Sequence, residues 1–346
     1  MRFALTEDQI DFRDAVRGLL ADTCPPEAVR AAWREQVGEV PGGGDGRVRA
    51  AWDALAEMGV LGVMVPESSG GLGMGDEDIV PLLVECGRVA LPDPISSTAY
   101  VATGLLRDHV AGDEAAGLLG RIAAGTATVL VGFPRSAHLP AAATADVFLM
   151  CDRGEVHLLD RSGVELTEVI SVDGARALST ATWESSDATV LVGGEAGSIA
   201  VTRAFDRAAL GVAAQLVGLG QRMLDMTVAY ASERRQFGVP IGTFQAVKHQ
   251  LADASLAVAF AEPLVLRAAS SLATGDPDGP VHVSMAKTRA SEAALAAAAA
   301  SLQCHGAIGY TVEYDLHLFL KRSWALAARY GDADFHRDRI RSVLLA

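Results

Sequence analysis

Two short segments in the last third of the chain combine residue types that suit a nucleotide ligand. Residues 232–238 read Ser-Glu-Arg-Arg-Gln-Phe-Gly, which could grip a phosphate with an arginine beside a planar ring. Gln245 follows eight residues after Phe237, and residues 303–310 carry a glycine-rich turn whose backbone amides could approach a ligand closely. Each segment alone is more typical of a charged or flexible helix end. Their occurrence together, in this order, indicates a binding surface.

Other chemistry-bearing patterns are missing from the sequence. The four cysteines (Cys24, Cys86, Cys151 and Cys304) form no CxxC pair, so we predict neither a zinc site nor a disulfide framework. The eight histidines show no HxxxH or HExxH spacing, and no metal site is predicted. No Gly-x-Ser-x-Gly nucleophile motif is present.

Composition limits the class of partner. The 346 residues contain 29 Lys and Arg against 43 Asp and Glu, a net charge of −14. This balance argues against nucleic acid and against an anionic membrane surface as main partners. We find no apolar run of about 18 residues and no signal-peptide core near the start, so we expect no membrane span and a cytoplasmic location.

The pattern along the chain predicts three domains: a helical domain over 1–125, a small antiparallel β-domain over 126–202 and a helical bundle over 203–346. Half of all residues are hydrophobic but only 5% are aromatic, which suits thin, alanine-rich helices. The fold class is therefore α+β with several domains.

Local signals place the helix ends. Thr6 with Gln9 forms a capping box, and Thr243 and Ser284 are predicted to cap later helices. Pro263 should kink or break the helix that contains it. Gly331 is a natural stop for a helix that runs from about 313 to 330. The glycine-rich segment 41–46 is predicted to be a flexible loop.

Over nearly its whole length the chain resembles the acyl-CoA dehydrogenase family. The resemblance is carried by TEDQIDFRDAVRGLL at 6–20, VPESSGGLG at 65–73, ERRQFGVPIGTFQAVKHQLAD at 233–253 and QCHGAIGYTVEYDLHLFLKR at 303–322. Within the family, HLFLKR at 317–322 is similar to actinobacterial enzymes that degrade steroid side chains.

The resemblance implies a fold, a cofactor and partners. Family members desaturate acyl-CoA thioesters at the α,β bond: a carboxylate removes the α-proton, and the β-hydrogen leaves as hydride to FAD. They fold as an N-terminal helical domain, a central β-domain and a C-terminal four-helix bundle, form tetramers that pair the bundles, and pass electrons to an acceptor flavoprotein. Five residues match family positions that reach the FAD of a neighbouring subunit: Arg234, Phe237, Gln245, Gln303 and Gly306.

The sequence departs from the family where the chemistry would occur. Gly331 stands where the usual catalytic glutamate follows a tyrosine, and Ala208 stands at the alternative position of that base. Residues 130–136 read Leu-Val-Gly-Phe-Pro-Arg-Ser in place of the TEPxxGSD-type segment that lies on the flavin. The GGxG turn reads Gly306-Ala307, a mild change. The resemblance therefore implies a chain with no catalytic residue of its own.

Three functional interpretations follow. The first is a base-less subunit of a heteromeric, α2β2 acyl-CoA dehydrogenase that contributes contacts to FAD held mainly by a catalytic partner. The second is a self-sufficient flavoenzyme whose base is displaced to Asp332 or, less favourably, Asp334. The third is a scaffold that binds no flavin.

Overall fold

The structure, a computed structural model, describes residues 4–34 and 43–345. Residues 41 and 42 of the predicted loop lie outside this part of the chain. The described residues form eleven α-helices: α1 (Glu7–Thr23), α2 (Pro26–Ala31), α3 (Arg49–Glu57), α4 (Asp76–Arg88), α5 (Thr103–His109), α6 (Asp113–Ala123), α7 (Gly194–Glu233), α8 (Gln245–Thr274), α9 (Gly279–His305), α10 (Leu316–Ala327) and α11 (Ala333–Leu344). A π-helical segment, Ser96–Ala102, leads directly into α5.

The first six helices form the N-terminal helical region. The predicted capping box is confirmed, because the Thr6 hydroxyl accepts from the backbone N–H of Gln9 while the Gln9 side chain accepts from Thr6 N. Buried side chains of α3 and α4, among them Leu55 and Leu83, join the main hydrophobic core. The π-helical segment attaches this region to the sheet, since the Thr98 hydroxyl donates to Val129 O and accepts from the backbone N–H of Val129.

The central region contains two small sheets. A four-stranded sheet has the order β1-β3-β4-β7, and a three-stranded sheet has the order β2-β6-β5. The strands are β1 (Val129–Gly132), β2 (His138–Pro140), β3 (Val147–Asp152), β4 (Glu155–Asp160), β5 (Val164–Val169), β6 (Leu178–Trp183) and β7 (Val190–Val192). The prediction of an antiparallel domain is wrong for one pair: β1 and β3 are parallel, because β2 crosses to the other sheet between them.

The C-terminal helices α7 to α10 form the bundle, with α11 packed against α9. The first of them begins at Gly194 rather than near residue 207, and the predicted Gly331 stop is followed by the further helix α11. Between α7 and α8 lies a hairpin of β8 (Arg235–Gln236) and β9 (Val239–Pro240). The exact boundaries of the three domains stay predictions.

Two local predictions in the bundle are wrong, and of the kink or break predicted at Pro263 the break is wrong while the kink stays a prediction. The hydroxyl of Thr243 donates to Pro240 O and caps nothing, and α8 begins two residues later. Ser284 lies inside α9, where its hydroxyl donates to Pro280 O. Helix α8 runs without a break through Pro263, whose ring lies on the exposed side, where water can satisfy the carbonyl left without a donor.

Helix α8 carries unusual apolar surface. Leu256 is 55% exposed and Phe260 is 64% exposed, and they lie four residues apart on one face. Among the described helices, α8 is the one that is long and apolar enough to cross a membrane by length and composition alone. Because it contacts both α7 and α9 along the bundle, we interpret it as a bundle helix with an exposed apolar face.

Candidate functional site

The residues that resemble cross-subunit cofactor contacts lie at one end of the bundle. The C-terminal ends of α7 and α9 meet there, with the ring of Tyr230 stacked on His305 at a centroid distance of 4.2 Å. The ring of Tyr314, which follows α9 in the chain, packs on both, with its centroid 5.9 Å from that of Tyr230 and 4.8 Å from that of His305. The short β8–β9 hairpin returns the chain so that α8 starts at this same end.

All five of these residues are exposed. They are Arg234, Phe237, Gln245, Gln303 and Gly306. The most unusual is Phe237 at the tip of the hairpin: its ring is 93% exposed, its φ is +52°, and its ring centroid lies 6.3 Å from that of Phe244. A phenylalanine presented to solvent on a strained turn indicates a surface that another molecule covers.

The polar members of the group are available for a ligand. The backbone of Arg234 closes the end of α7, where its N–H donates to Tyr230 O at 2.8 Å, but within the described residues its guanidinium forms no ion pair. Gly306 has φ +66°, and a Cβ there would meet no atom within 4 Å, so its backbone is open. The assignment of these residues to a cofactor stays a prediction.

Aromatic side chains pack between the 130–136 segment and Tyr330. Phe133, from the segment that departs from the flavin motif, lies edge-to-face against Phe205 and Tyr330, each at 5.7 Å between ring centroids. Phe335 packs on Phe205 at 6.0 Å. Such edge-to-face contacts leave no slot for another planar ring between these residues. The cluster thus does not fit an isoalloxazine bound between the 130–136 segment and Tyr330.

Neither base position could hold a glutamate in the present geometry. Gly331 has φ +94°, a conformation that L side chains rarely adopt, and a Cβ there would lie 2.2 Å from the Phe335 ring. Ala208 is fully buried in α7. The prediction that the chain lacks a base at both positions therefore has a structural counterpart at Gly331: the turn excludes a side chain.

A buried lysine fixes the turn at Gly331. Lys287 Nζ donates to Ala327 O and Gly331 O, each at 2.9 Å, and to Ser291 Oγ at 3.1 Å. Burial lowers the pKa of Lys287 to about 7. Beside it, His336 Nε2 lies 3.0 Å from Tyr330 O, and burial with the charge of Lys287 lowers the pKa of His336 to about 3. These contacts hold Tyr330 in its own unusual conformation, φ +55°.

The two aspartates after this turn have structural partners. Asp332 is the N-cap of α11, and its Oδ1 accepts from the backbone N–H of Phe335 at 2.9 Å. Asp334 is 87% exposed and pairs with Arg337 at 2.7 Å. The geometry of both carboxylates favours the interpretation as helix-end acids over that as a displaced base.

Sequence reasoning missed Lys287, Phe205 and Phe335. Lys287 lies in an alanine-rich helix that also carries Arg289 and Glu292, and no spacing marks it as buried. Phe335 follows Gly331 by four residues, a separation that could have suggested contact across a helix start. Phe205 offered no signal, because its partners lie about 70 and 125 residues away in the sequence.

Comparison with known families gives the class of protein. The acyl-CoA dehydrogenase N-terminal domain family matches residues 6–115, and the acyl-CoA dehydrogenase C-terminal domain family matches residues 195–345. Acyl-CoA dehydrogenase IpdE2 of Mycobacterium tuberculosis is 31% identical over 319 residues, which cover 92% of this chain and 91% of that protein. The chain belongs to the acyl-CoA dehydrogenase family.

Solved structures share the fold. A variant of the Tcur3481-Tcur3483 steroid ACAD matches with a TM-score of 0.85 and 24% identity over 98% of each chain. The ChsE4-ChsE5 complex from Mycobacterium tuberculosis matches with a TM-score of 0.84 and 23% identity, covering 100% of this chain and 99% of that one. At this identity the likeness concerns architecture: helical region, central sheets and C-terminal helices.

The segment 317–322, which resembles steroid-degrading members, lies in α10 and faces inward. His317, Leu318, Phe319, Leu320 and Arg322 are all buried. The Arg322 guanidinium pairs with Asp173. These residues therefore contribute to packing and none is presented as a substrate contact.

Proposed function

We propose that this chain is the non-catalytic subunit of a heterotetrameric, α2β2, FAD-dependent acyl-CoA dehydrogenase. The observation that carries the proposal is an asymmetry between two sites. Aromatic rings pack around Tyr330 and Gly331, where the family's base would be expected, whereas the five residues for a neighbour's cofactor are exposed at the bundle end.

In this proposal FAD, when held by the partner subunit, accepts the hydride of the desaturation. Arg234 supplies a fixed positive charge for the pyrophosphate, and Gln245 and Gln303 supply amide donors and acceptors. The exposed ring of Phe237 covers apolar parts of the nucleotide, and the open backbone at Gly306 allows close approach. The partner supplies the glutamate that takes the α-proton.

The apolar face of α8 supports a partner subunit over a solitary chain. Leu256 and Phe260 lie on the same helix whose first residue is Gln245, so one helix carries both the apolar face and a proposed cofactor residue. Exposed apolar patches of this kind mark protein interfaces. We infer that the catalytic partner covers both the apolar face of α8 and the five cofactor residues.

The substrate class we propose is a CoA thioester, with a steroid side-chain CoA as the specific candidate. Two observations support the steroid part: the resemblance of 317–322 and the fold shared with a protein described as a steroid ACAD. An electron acceptor flavoprotein would reoxidise the complex, and we place the reaction in the cytoplasm.

The test is to purify the chain alone and together with a glutamate-bearing acyl-CoA dehydrogenase encoded beside it. We expect the chain alone to show no flavin absorbance and no acyl-CoA turnover, and the pair to show both. Full flavin occupancy with turnover in the chain alone would favour a self-sufficient enzyme. A flavin-free, inactive pair that still co-purifies would favour a scaffold.

A further inference from the structure

A small cavity of about 50 Å³ lies beside Tyr330, away from the bundle end. It forms where the segment 91–97, helix α7 and the end of α10 meet. Three arginines line it: Arg176, Arg322 and Arg329. Three guanidinium groups around so small a space are costly unless negative charge compensates them.

Arg322, which lines this cavity, has a buried donor without a partner in the part of the chain that the structure describes. Its side chain is 6% exposed; Nε pairs with Asp173, and Nη1 donates to Leu91 O at 2.7 Å. Nη2 is buried and, among the described residues, meets no hydrogen-bond acceptor. A buried charged donor of this kind is normally satisfied by a protein group, water or a ligand.

Arg176 is the least compensated of the three. It is 7% exposed, and its hydrogen bond, from Nη1 to Ala325 O, is long at 3.3 Å. Within the described part of the chain no carboxylate lies within 4.0 Å of it, since Asp173 is taken by Arg322. Burial, together with the positive charge of Arg329 and Arg322, lowers the pKa of Arg176 to about 9.

The remaining acid of the cavity does not balance this charge. Asp93 lines the cavity, but its two oxygens serve Arg47 and the backbone N–H of Val48. The guanidinium of Arg329 donates hydrogen bonds to two neutral groups: Nη1 to His138 O at 3.2 Å, and Nη2 to Tyr330 Oη at 2.5 Å. Three arginines therefore face one carboxylate, Asp173, which is not already neutralised by another cation.

We propose that this cavity binds a small oxyanion, held by Arg176, with Arg322 and Arg329 adding positive charge. Guanidinium groups bind phosphate and carboxylate oxygens with charge-assisted hydrogen bonds. A volume of about 50 Å³ admits a few water-sized groups and excludes a nucleotide. The bound anion would join the 91–97 segment, the turn at Arg176 and α10. The proposal needs neither flavin nor partner, so it stands independently of the proposed function.

The test is calorimetric titration of the purified full chain with inorganic phosphate and, separately, with acetate at constant ionic strength. We expect saturable binding of one anion per chain for at least one of them. Arg176→Gln should weaken binding by about tenfold or more, because it removes the guanidinium that holds the anion. Arg322→Lys, which keeps a positive charge beside Asp173, should weaken binding less. Arg153→Gln, at an 81% exposed arginine, should bind as the wild type does.

The thermal unfolding temperature shows whether each variant is folded, so that a loss of binding is not mistaken for misfolding. Because Arg176 has no carboxylate partner, Arg176→Gln should fold without penalty in anion-free buffer. The bound anion should raise the unfolding temperature of the wild type and leave that of Arg176→Gln unchanged. Absence of saturable binding of both anions to the wild type would overturn the proposal, as would wild-type affinity in Arg176→Gln.

Discussion

A Cβ atom on Gly331 would lie 2.2 Å from Cδ1 of Phe335, closer than any real contact allows. Phe335 cannot withdraw freely, because its ring packs on Phe205 within the aromatic cluster. The residue that stands where the family places its catalytic base is thus held as glycine both by its φ of +94° and by its neighbour. The packing around position 331 therefore excludes a side chain there.

Gly331→Ala should destabilise the chain more than its left-handed conformation alone requires. We expect a loss of about 2–4 kcal/mol in the free energy of unfolding, from the strained φ together with the overlap with Phe335. Gly70→Ala is the matched control, since Gly70 has φ +81° but nothing within 4 Å of its Cβ. Urea denaturation measures both, and equal losses would show that Phe335 contributes nothing.

The buried Lys287 should give the stability a distinct pH dependence. Its pKa is about 7 in the folded chain and about 10.5 when unfolded, so above pH 7 the unfolded state binds more protons. Stability should therefore rise by about 1.6 kcal/mol from pH 7 to pH 8.5 through this group. Lys287→Met should remove that rise, and the exposed-site change Lys248→Met should keep it. A rise that persists in Lys287→Met would contradict the account.

Asp332→Asn separates a helix cap from a catalytic base. Asparagine caps helices about as well as aspartate, so stability should be retained, whereas Asp332→Ala should lose about 1 kcal/mol. In an active complex, turnover of the asparagine variant should equal that of the wild type. A large fall in turnover with stability intact would make Asp332 the base and refute its structural interpretation.

Arg234→Ala should loosen FAD in the assembled complex without unfolding the chain. The guanidinium of Arg234 is exposed and forms no ion pair within the described residues, so its removal costs the fold little. Flavin retained after gel filtration reports the effect, with Arg341→Ala, an exposed arginine on α11, as the control. Equal flavin content in both variants would exclude the cross-subunit contact.

Local signals in the sequence predicted much of the fold. The Thr6–Gln9 capping box and the break at Gly331 appear as expected, because side chains within four residues determine them. Ser284 misled us, because a hydroxyl inside a helix satisfies itself on the preceding turn as readily as it caps. The parallel β1–β3 pair depends on the short strand β2 joining another sheet, which no local pattern shows.

In the candidate site, too, features that depend on local sequence were predicted and features that depend on tertiary contacts were not. The exposed residues at the bundle end, such as Arg234 and Gln245, belong to contiguous motifs and were predicted from sequence. The departures from the base and flavin motifs were also visible in the sequence. The packing of Phe133, Phe205 and Phe335 was not, because it depends on tertiary contacts between residues far apart in the chain.

The central claim is that residues of this chain contact the FAD held by a partner subunit and that this chain holds no FAD of its own. The most direct measurement is the flavin stoichiometry of the purified α2β2 complex, from its visible spectrum and the total protein concentration. The account predicts two FAD per tetramer, one for each catalytic subunit. Four FAD per tetramer would mean that this chain binds flavin in its own cleft, and would contradict the account.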